Sequence, residues 1–205
     1  MDKNNHHFEL VKYKPHRASF DELVIIFTLA SFVGFLVETI YVFLVCGSFV
    51  KRGTLIGPCC PIYGFGALIL YSSFYEVKRE KQNIPLIFII SSLLMGSFEL
   101  MCGLGFKHFL NIEMWNYSGK FLNILNYTTV PILIGWGILG TVYVFFVHPL
   151  ILKFVNLFPK HIMKKVAIII ACIFICDILI SARRIYLRPK ILDDLVHPEK
   201  VEETI

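Results

Sequence analysis

Long apolar runs separated by short polar connections dominate the chain. Five runs stand out: Leu23–Cys46, roughly Leu55–Tyr75, Ile84–Phe106, roughly Ile124–Val147 and roughly Ile162–Ala182. About 20 apolar residues are enough for a helix to cross the hydrocarbon core of a bilayer. Lipid offers backbone groups no water, so helix is the expected state of each run. The connections are 47–54, 76–83, 107–123 and 148–161. The expected fold is an all-α polytopic transmembrane bundle of about five helices, one of them broken or re-entrant. It forms one domain over residues 23–182, with a polar N-terminal tail (1–22) and a polar C-terminal tail (183–205). The loop 148–165 holds Ile151, Leu152, Phe154, Val155, Leu157 and Phe158 among lysines. That pattern suits a short interfacial helix or a docking surface for a cytoplasmic subunit.

Composition supports this picture. Hydrophobic residues make up 56% of the chain and the mean hydropathy is +0.67. A soluble domain of 205 residues could not bury that many apolar side chains. The net charge is +5, but the basic residues flank apolar runs. Their expected partner is therefore the lipid bilayer, with its anionic headgroups, and not nucleic acid. With the N-terminus inside, the cytoplasmic segments carry eleven Lys and Arg and the outer loops four. The positive-inside rule then places the N-terminus in the cytoplasm. Arg183, Arg184, Arg188, Lys190 and Lys200 oppose it, because five crossings put them outside. The Lys-, Ile-, Phe- and Asn-rich composition fits a bacterium, and the expected location is its cytoplasmic (inner) membrane.

Three carboxylates interrupt the apolar runs: Glu38, Glu99 and Asp177. A charge at the centre of a membrane helix costs about 2.5–3.5 kcal/mol on insertion scales. Such groups face the bundle interior or a polar cavity, so they are candidates for a solute path. The alternatives are carboxyls held by neighbouring helices, or a catalytic pair. Arg52, Arg183 and Arg184 are the candidate counter-charges.

The stretch from Arg52 to Gly66 is the most irregular. Pro58 and Pro61 remove backbone donors and push Gly57 and Cys60 out of the helical region. Irregular backbone at membrane depth is tolerated only when it is buried or lines a cavity. Broken segments of this kind form binding sites in transporters. An interfacial loop entering a helix near Pro61 is the plainer alternative. Arg52, Gly57, Pro58, Pro61 and Tyr63 therefore join Glu38, Glu99 and Asp177 as candidate substrate-binding or path residues. Trp115 and Tyr117, in connection 107–123, suit a membrane interface and complete the set.

Other patterns narrow the choice. Ala30 with Gly34, Ser92 with Gly96, and Gly137 with Thr141 place small residues four apart, which allows close helix approach. The six cysteines show no zinc or redox spacing and read as small packing residues. No P-loop, zincin or serine-hydrolase signature is present, and no catalytic residue, cofactor or metal is expected.

Gly34…Glu38, Arg52-Gly53…Gly57-Pro58…Pro61-Ile62-Tyr63-Gly64-Phe65-Gly66, Glu99…Gly103, Trp115…Tyr117-Ser118…Asn123 and Trp136-Gly137 follow one another in order. In this the chain resembles, over roughly residues 25–180, the bacterial membrane family known as putative ABC-transporter type IV, or CmpB. Asn116 stands where the family motif carries an acid, and Lys107 where a glutamate is expected. The resemblance implies a permease-like subunit that binds or moves a small solute. Its ATPase would be a separate chain; a homo-oligomer is the other expected assembly. Two alternatives remain open at this point: a membrane-embedded enzyme acting on a lipid or isoprenoid, and a scaffold or regulatory subunit without substrate.

Overall fold

A computed structural model describes residues 17–47, 53–75, 83–155 and 157–187. Arg52, among the candidate residues, lies outside them, as do the ends of both tails.

The described chain is a helical bundle. Helix α1 (Phe20–Cys46) begins with a capping box, in which the Ser19 amide donates to Glu22 Oε2 at 2.7 Å. It ends at Gly47, whose φ of 73° is the left-handed stop that glycine adopts without strain. Helix α2 (Pro61–Phe74) starts on a proline and runs for 14 residues. Helix α3 (Ile84–Gly105) is capped by Asn83 and continues into a π turn, Phe106–Leu110. A two-stranded ribbon follows, β1 (Asn123–Ile124) against β2 (Thr128–Thr129). Helix α4 (Val130–Val142) is capped by the Thr129 side chain and passes through a π turn, Tyr143–Val147, into α5 (His148–Val155). Helix α6 (Lys160–Leu187) is the last.

Four stretches are long and apolar enough to cross a membrane: 20–44, 84–109, 130–155 and 160–184. Their outward faces remain apolar, with Leu44, Met101 and Ile173 each more than half exposed. In lipid that is the expected state of a helix surface. One boundary needs correction. The connection 148–161, expected to suit a short interfacial helix or a docking surface, is helical over His148–Val155 as the continuation of α4, and α6 starts at Lys160. Lys153 interrupts the apolar pattern, yet it is exposed at the helix end while Ile151 and Val155 on either side are buried. The second run is non-helical over 53–60 and helical from Pro61, where the sequence offered a helix entry.

Small residues set the packing. The Gly34 Cα lies against the Tyr63 ring, and Gly64 lies against Ser31 and Phe27, so α1 and α2 meet at backbone distance. Gly96 receives Leu133, Gly137 receives Ser92 and Phe88, and Gly140 receives Ser91, which joins α3 to α4 in antiparallel register. Of the predicted small-residue pairs, Gly34, Ser92, Gly96 and Gly137 fall on these two interfaces. Helix α6 touches chiefly α1, and Phe174 packs edge-on to Phe27 with centroids 5.1 Å apart.

The level at which α2 begins shapes everything that follows. The Cys60 amide donates to the Ser31 carbonyl at 2.9 Å, and Ser31 lies near the middle of α1. At the other end of α2, the Tyr71 hydroxyl accepts from the Ala18 amide, just before α1 starts. Helix α2 therefore accompanies only the first half of α1. Its 14 residues rise about 21 Å, short of the roughly 30 Å hydrocarbon core. Non-helical chain, residues 53–60, precedes α2 and is bonded to Ser31 of α1 and to Asp177 and Ser181 of α6.

Candidate functional site

Two irregular segments lie toward the end of the bundle where α1 stops. Each is held by an intramembrane carboxylate.

The first is 53–60. Its amides at Ile56 and Gly57 donate to Asp177 Oδ1 and Oδ2, both at 2.9 Å. The Ile56 amide also reaches Ser181 Oγ at 3.0 Å, and that hydroxyl donates to Asp177 Oδ1 at 3.0 Å. Asp177 and Ser181 are one helical turn apart, so they present one clasp to the loop. Gly57 is required by proximity: a Cβ there would sit 2.8 Å from Asp177 Oδ2. Pro58 is exposed beside it, and Pro61 occupies the first turn of α2, where a missing amide costs nothing.

The second segment is 111–129. Glu99, 5% exposed, accepts from Thr128 Oγ1 at 2.8 Å and from Trp136 Nε1 at 3.1 Å, both on Oε2. The Tyr117 hydroxyl lies close enough to this carboxylate to interact with it. Burial, reinforced by the charges of Glu99 and then Glu38, pushes the Tyr117 phenol above its usual range, so it keeps its proton and remains a donor. Trp115 does not reach Glu99 by any described bond. Its indole donates to the Tyr127 carbonyl at 2.9 Å and pins the ribbon turn.

Glu38 and Tyr63 lie between these anchors. The Tyr63 hydroxyl donates to Glu38 Oε1 at 3.0 Å, and its ring meets Trp136 with centroids 5.4 Å apart. Trp136 in turn holds Glu99. Glu38, Tyr63, Trp136, Glu99 and Tyr117 thus form one connected group. Glu38 is half-buried, whereas Glu99 is enclosed. Asp177 with Gly57 belongs to the neighbouring clasp.

The residues that depart from the resemblance meet in one place. Lys107 pairs with Glu113 Oε1 at 2.9 Å, and Asn116 Nδ2 donates to Glu113 Oε2 at 3.2 Å. Glu113 therefore organises the turn that carries Trp115 and Tyr117.

Sequence reasoning missed Thr128 and Ser181, and it gave Trp136 no role. Ser181 had a signal, four residues after Asp177. Thr128 had none. No group of three or more His, Cys, Asp and Glu side chains suited to a metal occurs among the described residues.

Spanning helices, a half-length helix completed by irregular backbone, and polar groups turned inward define a multi-pass α-helical membrane protein. The chain belongs to the family described as Putative ABC-transporter type IV, whose model matches residues 25–182. No curated protein and no solved structure matches the chain.

Proposed function

We propose that the chain is a permease-like membrane subunit that takes a small polar solute at Glu38 and Tyr63. The observation that carries this is the half-length α2. Where α2 is missing, α1 presents a half-buried carboxylate, Glu38, bonded to Tyr63 at the break. Glu99 and Asp177 anchor the two loops that frame this position, and Glu38 is the carboxylate set to meet a solute. The membership in a transporter family is consistent with this role, with ATP hydrolysis supplied by a second chain in the cytoplasmic membrane.

A scaffold without solute is the second reading. It is favoured by the neutral donors on Glu99 and Asp177, which satisfy both groups within the protein. A lipid-modifying enzyme built on all three carboxylates gains no support, since Asp177 and Glu99 serve different loops.

The test is a crosslink-stabilised pull-down of tagged protein from native membranes, followed by ATPase assay of the recovered material. The permease reading expects a stoichiometric cytoplasmic ATPase. It also expects Glu38→Gln to lower the hydrolysis rate severalfold at unchanged complex yield. Recovery of the chain alone overturns the permease reading. A partner whose ATPase rate ignores Glu38→Gln moves the scaffold reading to the front.

A further inference from the structure

At the opposite end of the bundle from the two loops, α1, α5 and α6 leave a half-open groove of about 210 Å³. Ile25 and Leu29 line it from α1, Phe154 from α5, and Met163, Val166 and Ile170 from α6. Thr28 is the polar residue in the lining, and its hydroxyl is occupied by the Val24 carbonyl at 2.8 Å. Along α6 the lining runs from Ile162 to Ile170. That is roughly 12 Å of helix, within the depth of one leaflet of a hydrocarbon core about 30 Å thick.

Four lysines lie close in sequence to the lining residues of α5 and α6. Lys153, Lys160, Lys164 and Lys165 are all exposed, on α5 and the first turns of α6. Among the described residues no ion pair ties any of the four to a carboxylate. Glu22, at the same end, is buried and bonded to the Ser19 amide. An apolar slot one leaflet deep, formed by elements that also carry four exposed lysines, matches an amphiphile with a hydrocarbon tail and an anionic head. We infer that this groove binds one acyl chain of an anionic phospholipid, with the phosphate held by the lysines of the α5–α6 elbow. The tail fills the slot against Leu29 and Val166. The head meets Lys160, Lys164 and Lys165 at the level where lysines extend to the interface. This site is independent of Glu38 and of any transported solute.

The full-length protein in detergent is titrated with phosphatidylglycerol or phosphatidylcholine of identical chains, and adducts are counted by native mass spectrometry. The expected result is a phosphatidylglycerol adduct at a concentration at least tenfold below that needed for phosphatidylcholine. One surface lysine contributes about fivefold to attraction of an anionic head. Lys160→Gln, Lys164→Gln and Lys165→Gln together should erase the preference. Val166→Trp, which fills the slot, should lower adducts of both lipids at least tenfold. Ile170→Phe serves the same purpose if circular dichroism shows that Val166→Trp has lost helix. Equal binding of the two lipids in the unaltered protein overturns the inference. So does a preference that survives the lysine changes, or adducts unchanged by a filled slot, which would reduce the effect to attraction at the surface.

Discussion

Replacing Asp177 by Asn keeps the shape of the clasp and changes its chemistry. The carboxylate accepts from two amides through two oxygens, at 2.9 Å each. Asn offers one oxygen and one NH2, so one amide must face another donor. A hydrogen bond to a charged acceptor contributes about 1.5–3 kcal/mol, and a buried donor left without an acceptor costs about 1–3 kcal/mol. Allowing for the half-buried position of Asp177 and for the Ser181 hydroxyl that still reaches the Ile56 amide, the loop should be weakened by about 2–4 kcal/mol. Cys60 reports on it. Its side chain is 6% exposed, and its amide is bonded to the Ser31 carbonyl at the foot of the loop. In a variant that keeps Cys60 as its one cysteine, alkylation by a maleimide requires local opening. At tenfold per 1.4 kcal/mol, Asp177→Asn should accelerate that reaction by roughly 30- to 700-fold. Ser181→Ala, which leaves both carboxylate bonds, should accelerate it only a few-fold. A rate within threefold of the parent, in a variant that remains folded, would show that Asp177 does not hold the loop.

Three further outcomes follow from the packing. Glu99→Leu strands the Thr128 hydroxyl and the Trp136 indole, and it should lower the thermal midpoint in detergent well beyond Glu99→Gln; the difference should correspond to about 1–3 kcal/mol. Equal midpoints would place the loop's anchor elsewhere. Gly34→Ala forces its new methyl into the Tyr63 ring, whereas Gly135 has nothing within 4 Å of the same methyl. Gly34→Ala should therefore destabilise, while Gly135→Ala should be neutral or stabilise by up to about 1 kcal/mol, read by the same melts. Trp115→Phe removes the bond to the Tyr127 carbonyl and should increase proteolysis within 118–126 at little cost to the helical signal, checked by limited digestion and circular dichroism.

The spanning runs were legible because apolar length is a property of consecutive residues. The break before Pro61 was legible from residue identity: Pro58 and Pro61 push Gly57 and Cys60 out of the helical region, while Gly64 and Gly66 sit within continuous α2. What the carboxylates bind was not. Arg52, Arg183 and Arg184 were the natural counter-charges to seek from the sequence. The described donors on Asp177 are instead the amides of Ile56 and Gly57, about 120 residues away, and a backbone amide leaves no mark on residue identity. Thr128 was invisible likewise, since a threonine after a ribbon turn has no spacing that ties it to Glu99. That α5 continues α4 was not legible, because one exposed lysine breaks an apolar run as effectively as a loop does.

The clasp between α6 and residues 53–60 also bears on how the protein is made. Ile56 and Gly57 leave the ribosome 121 and 120 residues before the acceptor that satisfies them. At about 5–20 residues per second, that interval is on the order of 6–24 s. During it, a proline-broken segment with unmet donors must wait beside the translocon or in contact with water, because lipid would not tolerate it. Helix α6, which contributes few contacts to the core, would then act as the closing step of insertion. Truncation before Asp177 should leave α2 outside the bilayer, even though every residue of α2 is present.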